Sequence, residues 1–115
     1  MISIYYNNRC GKCRTALAAV EKTGEEYELI EYLTNTPSIK ELEIVLDKLQ
    51  LEPLDIIRTK EPIFKEKFAT KKYSKKEWLK ILHENPILIE RPIIMKDHCA
   101  VIARSEEKIN EILKK

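Results

Sequence analysis

Residues 2–24 read ISIYYNNRCGKCRTALAAVEKTG, and their pattern changes twice in that short span. Residues 2–6 are apolar and rich in β-formers. Residues 7–14, NNRCGKCR, have no apolar period. An Ala/Leu/Val pattern then runs to Gly24. This order predicts a strand, a turn and a helix, with Cys10 and Cys13 where strand gives way to helix. Residues 27–32, YELIEY, alternate well enough for a second strand, and a helical crossover makes the two strands parallel.

From Ser38 the chain reads as helical. Ser38 with Glu41 forms a capping box, and Leu42, Val45, Leu46 and Leu49 recur at helical spacing. Pro53 and Pro62 break the pattern into short pieces. Ser74 with Glu77 repeats the box ahead of Trp78, Ile81 and Leu82. Residues 93–96 and 100–103 then read as strands joined by the Asp97-His98 turn, a connection so short that the pair must be an antiparallel hairpin. Ser105 caps a last helix carrying Ile109, Ile112 and Leu113. The expected class is therefore α/β, as one domain over residues 1–115. It is a thioredoxin-like fold, β-α-β then β-β-α around a mixed four-stranded sheet, with an all-helical insertion at about residues 37–85.

The totals bound the chemistry. A chain of 115 residues can bury a core without disulfide or metal staples, so the cysteines are not needed for folding. No apolar run approaches the roughly 18 residues of a membrane span, and the opening MISIYYNN has neither the basic nor the apolar part of a secretory signal. The expected location is the cytoplasm, where a CxxC pair is kept reduced and serves catalysis or metal binding rather than structure. A net charge of +2 does not argue for nucleic acid, and the lysine-rich residues 65–76 read as a solvated face.

Zinc is not expected. Cys10, Cys13, His98 and Cys99 make a nominal set of four, but a second CxxC or a spaced histidine pair is missing, and adjacent strand residues point to opposite faces. Cys99 reads instead as a small apolar residue of the hairpin. A nucleophilic thiolate fits better. At the start of a helix, the N–H groups of Gly11, Lys12 and Cys13 point toward the Cys10 sulfur and the dipole favours negative charge, which lowers a thiol pKa. The same N–H groups form an anion site, and Gly11 leaves the backbone open to a ligand. Cysteine-dependent phosphatases are excluded by counting, because their C-x5-R pattern needs arginine where this chain has Ala16.

Arginine is scarce here, at Arg9, Arg14, Arg58, Arg91 and Arg104 among 21 basic residues, and its rigid fork suits oxyanions. Arg58, Arg91 and Arg104 each end an apolar segment. They are either cleft residues or partners of Glu61, Glu90 or Glu106.

Residues 4–14 and 85–93, IYYNNRCGKCR and NPILIERPI, resemble two signatures of the glutaredoxin-coupled arsenate reductases and their relatives, which include the Spx transcription regulators. The resemblance covers nearly the whole chain. It implies that Cys10 is the catalytic cysteine, that Arg58, Arg91 and Arg104 bind the oxyanion and the reaction intermediate, and that Arg91-Pro92 is a cis bond. Two positions depart from the pattern: Tyr6 stands where the well-studied reductases have histidine, and Cys13 where they have serine.

The expected function is an arsenate reductase-like thiol oxidoreductase with no bound cofactor and no metal, acting on a small oxyanion. The Cys10 adduct is resolved by glutathione as co-substrate with glutaredoxin or thioredoxin as electron donor, or by Cys13 itself. The alternative is an Spx-like redox sensor that binds RNA polymerase and switches through a Cys10–Cys13 disulfide.

Overall fold

In β1 (Ile2–Tyr5), Ile2 and Ile4 are buried on one side of the strand and Tyr5 on the other, so a core is required on both faces. The computed structural model describes all of residues 1–115. In it β1 is a central strand. It pairs in parallel with β2 (Tyr27–Ile30) and antiparallel with β3 (Ile93–Lys96), which in turn pairs antiparallel with β4 (Cys99–Ile102). The order is β2-β1-β3-β4, a mixed four-stranded sheet with β-α-β preceding β-β-α.

The chain divides into two compact units: residues 1–35 with 91–115, and residues 36–90. In the first, α1 (Gly11–Lys22) turns Cys13, Ala16 and Val20 inward at i, i+3 and i+7. They join Ile2, Ile4 and Ile94 of the sheet and Ile109 and Ile112 of α5 (Glu106–Leu113) in one apolar cluster. Tyr5 stacks on Tyr32 with ring centroids 6.2 Å apart.

Four strand ends differ from expectation, for local reasons. Tyr6 lies outside β1 because the next residues turn, although its N–H still donates to the Ile30 carbonyl. β2 stops at Ile30 because the Glu31 carbonyl accepts from Thr34 and Asn35 in a turn. β4 is shifted by one residue, running from Cys99 to Ile102, with Ala103 outside it. Asp97 takes φ 55°, and the two-residue turn sets Lys96 opposite Cys99.

In the second unit, α2 (Ile39–Leu49) and α4 (Lys75–Glu84) both begin in complete capping boxes, from Ser38 with Glu41 and from Ser74 with Glu77. α2 buries Leu42, Val45 and Leu46, while α4 buries Trp78, Leu79, Ile81 and Leu82. α3 (Pro62–Lys67) is short and brings Phe64 against Trp78, at 6.1 Å between centroids. The segment is not helical throughout. Residues 53–56 and 86–88 are 3-10 turns, each with proline at its start. Ile57 and Ile89 form an antiparallel bridge, with Arg58 N–H donating to the Leu88 carbonyl and Glu90 N–H to that of Ile56. Both isoleucines are buried; the bridge pairs polar groups of the residues flanking them, while their own N–H groups donate to the Leu54 and Pro86 carbonyls.

Candidate active site

The turn between β1 and α1 is built by Asn7. Its carbonyl accepts from the Cys10 N–H, and its side-chain oxygen accepts from the Arg9 N–H at 3.0 Å. Cys10 is then the N-cap of α1, with extended backbone angles and a thiol in place of the usual capping oxygen. The first turn of α1 holds no acidic residue, only Lys12 and Arg14 among its charges, so the positive end of the helix dipole meets no anion from the chain.

The two cysteines are free thiols of opposite character. Burial works against a Cys10 thiolate. It is outweighed by the Cys13 N–H, the Cys13 thiol, the Arg91 charge and the Lys12 N–H, so the pKa falls below the ordinary 9.0. Cys13 is fully buried. Its pKa is pushed up to about 12, chiefly by that burial and then by donating to Cys10 and lying beside its charge; the Asn7 N–H and Arg91 offset only part of this. The pair therefore shares one ionisation, carried by Cys10, and Cys13 serves as its proton-bearing neighbour.

An open cavity of about 850 Å³ lies over Cys10, and five cations line it: Arg9, Lys12, Arg14, Arg91 and Arg104. All belong to the sheet-bearing unit. The Arg91–Pro92 bond is cis. Arg91 Nε and Nη1 are buried and no group of the chain accepts from them. Arg104 Nη1 donates to the Arg91 carbonyl at 2.8 Å, and Arg14 Nη1 donates to the Asn8 carbonyl at 2.8 Å. A Cβ placed on Gly11 would meet only Arg14 Nη2, at 3.8 Å, so nothing in the fold itself demands glycine there.

Of the arginines singled out in the sequence, Arg91 and Arg104 stand with Cys10, Gly11 and Lys12 around this cavity. Arg58 lies in the helical unit, where its Nη1 pairs with Glu61 Oε1 at 2.6 Å. Tyr6 is a buried member of the apolar cluster. Cys99 is half-buried and packs against the same cluster, and no three His, Cys, Asp or Glu side chains are grouped to hold a metal ion. Sequence reasoning noted Arg9 and Arg14 without giving them a role, and passed over Thr15 and Ala18, which also line the cavity. Helical spacing was the available signal: residues 11, 14, 15 and 18 share a face of α1 away from Cys13, Ala16 and Val20.

A mixed sheet of this order with a low-pKa cysteine at its first helix defines a thioredoxin-like protein, and comparison with known proteins narrows the class. The ArsC family profile matches residues 5–112, and the chain belongs to that family. It is 39% identical to an uncharacterized protein in the glnII region of Streptomyces viridochromogenes, over 97% of this chain and 98% of that one. It is 32% identical to an arsenate reductase of Neisseria meningitidis serogroup A, over 97% of each. The arsenate reductase structure from Vibrio cholerae superposes with a TM-score of 0.86 at 32% identity, covering 98% of this chain and 95% of that one.

Proposed function

We propose that the protein is a thiol-dependent reductase of a tetrahedral oxyanion, with arsenate as the substrate to test first. The observation that carries the reading is the Arg91 guanidinium, whose buried Nε and Nη1 have no acceptor in the chain, beside a cysteine of lowered pKa. A buried N–H without a partner is costly, and an anionic oxygen is the charge-assisted acceptor that such donors favour. The arsenate reductase names of relatives at about a third identity support the choice of substrate.

In the proposed reaction Cys10 Sγ attacks arsenic(V). An S–As bond forms and an As–O bond breaks, the departing oxygen leaving as water after protonation. Arg91, Arg104 and the N–H groups of Gly11 and Lys12 hold the remaining oxygens and their charge. A second thiolate then attacks the Cys10 sulfur. A disulfide forms, the S–As bond breaks, and its electron pair stays on arsenic, which becomes arsenic(III). The two sulfurs together lose the two electrons that arsenic gains. The second thiol is a glutathione-type co-substrate, regenerated through glutaredoxin or thioredoxin, or it is Cys13. Arg58, engaged by Glu61, stays in the reading through the family resemblance, and the steps above do not depend on it. This chemistry suits a reducing compartment such as the cytoplasm.

The test is arsenite release from arsenate in the presence of glutathione and glutaredoxin, with Cys10→Ser as the inactive control. Absence of arsenite from the wild-type protein, together with failure of arsenate to protect Cys10 from alkylation, would refute the reading.

A further inference from the structure

Arg14 stands against the local preference of its helix. A cation in the opening turns of a helix opposes the positive end of the dipole, and Arg14 meets no compensating carboxylate: the first turn of α1 has none, and no ion pair includes this residue. What its guanidinium does hold is the turn before the helix. Helical side chains lean toward the N-terminus, and this one reaches back past Gly11, its Nη2 lying 3.8 Å from where a Cβ there would stand, so that Nη1 donates to the Asn8 carbonyl at 2.8 Å. No backbone N–H reaches that carbonyl. Asn8 and Arg9 are both exposed, so packing does little to fix the turn, and Arg14 is the side chain of α1 that fastens it to the helix.

We propose that Arg14 is a positioning residue for the nucleophile: its hydrogen bond to the Asn8 carbonyl ties the turn to the helix and so keeps the Cys10 sulfur over the first N–H groups of α1, through its N–H donor and not through its charge. The inference rests on the reading above only in taking Cys10 as the nucleophile. Three of the four influences that favour the Cys10 thiolate are hydrogen bonds from the first turn of α1, given by the Cys13 N–H, the Cys13 thiol and the Lys12 N–H; the fourth is the Arg91 charge. Hydrogen bonds weaken steeply as their angle bends, so these three depend on where the turn sets Cys10, at φ −99° and ψ 118°. The Arg14 charge is not among the four, although the side chain lines the same cavity. Its effect on the thiolate is therefore geometric.

The test is the pH–rate profile of Cys10 alkylation by iodoacetamide, read at Cys10 by peptide mapping, in three proteins. These are the wild type; Arg14→Met, which loses both donor and charge; and a semisynthetic chain with citrulline in place of Arg14, which loses the charge and keeps an NH2 donor at the same reach. In Arg14→Met the midpoint should rise, and on the rising limb the rate should fall roughly three- to tenfold, the effect of one lost hydrogen bond. The profiles should meet at high pH, where Cys10 is ionised in both. Citrulline should leave the midpoint at the wild-type value. The Cys10 amide, which donates to the Asn7 carbonyl, should exchange faster with solvent in Arg14→Met and not with citrulline. Because Arg14 is exposed, the methionine variant should fold and melt within about 3 °C of wild type. Coincident midpoints in wild type and Arg14→Met, with or without a fall in melting temperature, would overturn the proposal. So would a midpoint raised equally by citrulline, which would assign the effect to charge. Loss of sulfate protection with citrulline at an unchanged midpoint would make Arg14 a ligand of the anion through its charge, and would overturn it as well. If neither sulfate nor arsenate protects the wild type, the oxyanion reading is lost, while the order of the midpoints still decides the role of Arg14.

Discussion

Replacing Arg91 with lysine separates charge from geometry. The charge stays in the cavity, so the Cys10 pKa should remain below 9.0, whereas Arg91→Gln should raise it by removing one of the causes that lower it. The planar fork is lost. Arg91 offers two buried donors, Nε and Nη1, neither with an acceptor in the chain, and the mobile ammonium of lysine does not reproduce the fixed direction of either. A hydrogen bond to a charged partner is worth about 1.5–3 kcal/mol, so Arg91→Lys should weaken sulfate or arsenate binding roughly ten- to hundredfold. Stability has little to lose, because the side chain makes no internal hydrogen bond and the one contact at this residue, Arg104 to its carbonyl, is kept. The melting temperature should stay within about 3 °C of wild type. Calorimetric titration with sulfate and a thermal melt of both proteins are the measurements. A large drop in melting temperature with unchanged anion affinity would mean that the guanidinium supports the fold and binds nothing.

Iodoacetamide at substoichiometric dose and neutral pH should label Cys10 and spare Cys13, whose thiol pKa is pushed up to about 12 by burial; peptide mapping that found Cys13 labelled first would reverse the assignment. The raised Cys13 pKa favours the neutral thiol in the folded state, so its stabilising effect is complete below its ordinary pKa of 9.0 and fades as pH rises toward about 12. The stability advantage of wild type over Cys13→Ala in denaturant melts should shrink across that window and stay flat if the shift is absent. Cys13→Ser should abolish any Cys10–Cys13 disulfide formed by mild oxidant, while mixed-disulfide formation at Cys10 with oxidised glutathione, read by mass spectrometry, should persist; its loss would make Cys13 essential to resolution. Ser74→Ala removes one half of the box at the start of α4 and should cost about 1 kcal/mol in denaturant melts, against no change if the helix start is held by packing alone.

The site was legible where its signals are local. A CxxC between an apolar run and an Ala-rich helix marks a helix N-terminus in any context, and Ser-x-x-Glu marks the caps of α2 and α4 wherever they pack. The strand order β2-β1-β3-β4 was not legible, since a parallel pair and a hairpin can be joined across either edge until long-range pairing decides. Nor was the bridge of Ile57 with Ile89, whose residues lie far apart in sequence and sit among helical pieces. Arg58, Arg91 and Arg104 look alike in sequence, each closing an apolar segment. Their difference is spatial: Glu61 lies three residues on, across a turn from Arg58, and takes its charge, while the Arg91 side chain meets no carboxylate. Arg9 and Arg14 were noted in the sequence without a role, and it is the cavity that gives them a place, Arg14 from the helix face it shares with Gly11 and Arg9 from the turn before α1.

Gly11 offers the site a ruler. Glycines are usually kept for backbone angles or crowding, and this one answers to neither, because a methyl group here would touch the tip of one flexible arginine and nothing else. An alanine at this position leaves the empty protein as it is and intrudes only on a visitor. Lengthening the residue by one carbon at a time, from alanine to 2-aminobutyrate to norvaline, would therefore measure how closely any guest approaches the helix end, in units of a single carbon–carbon bond and without a crystal of the complex.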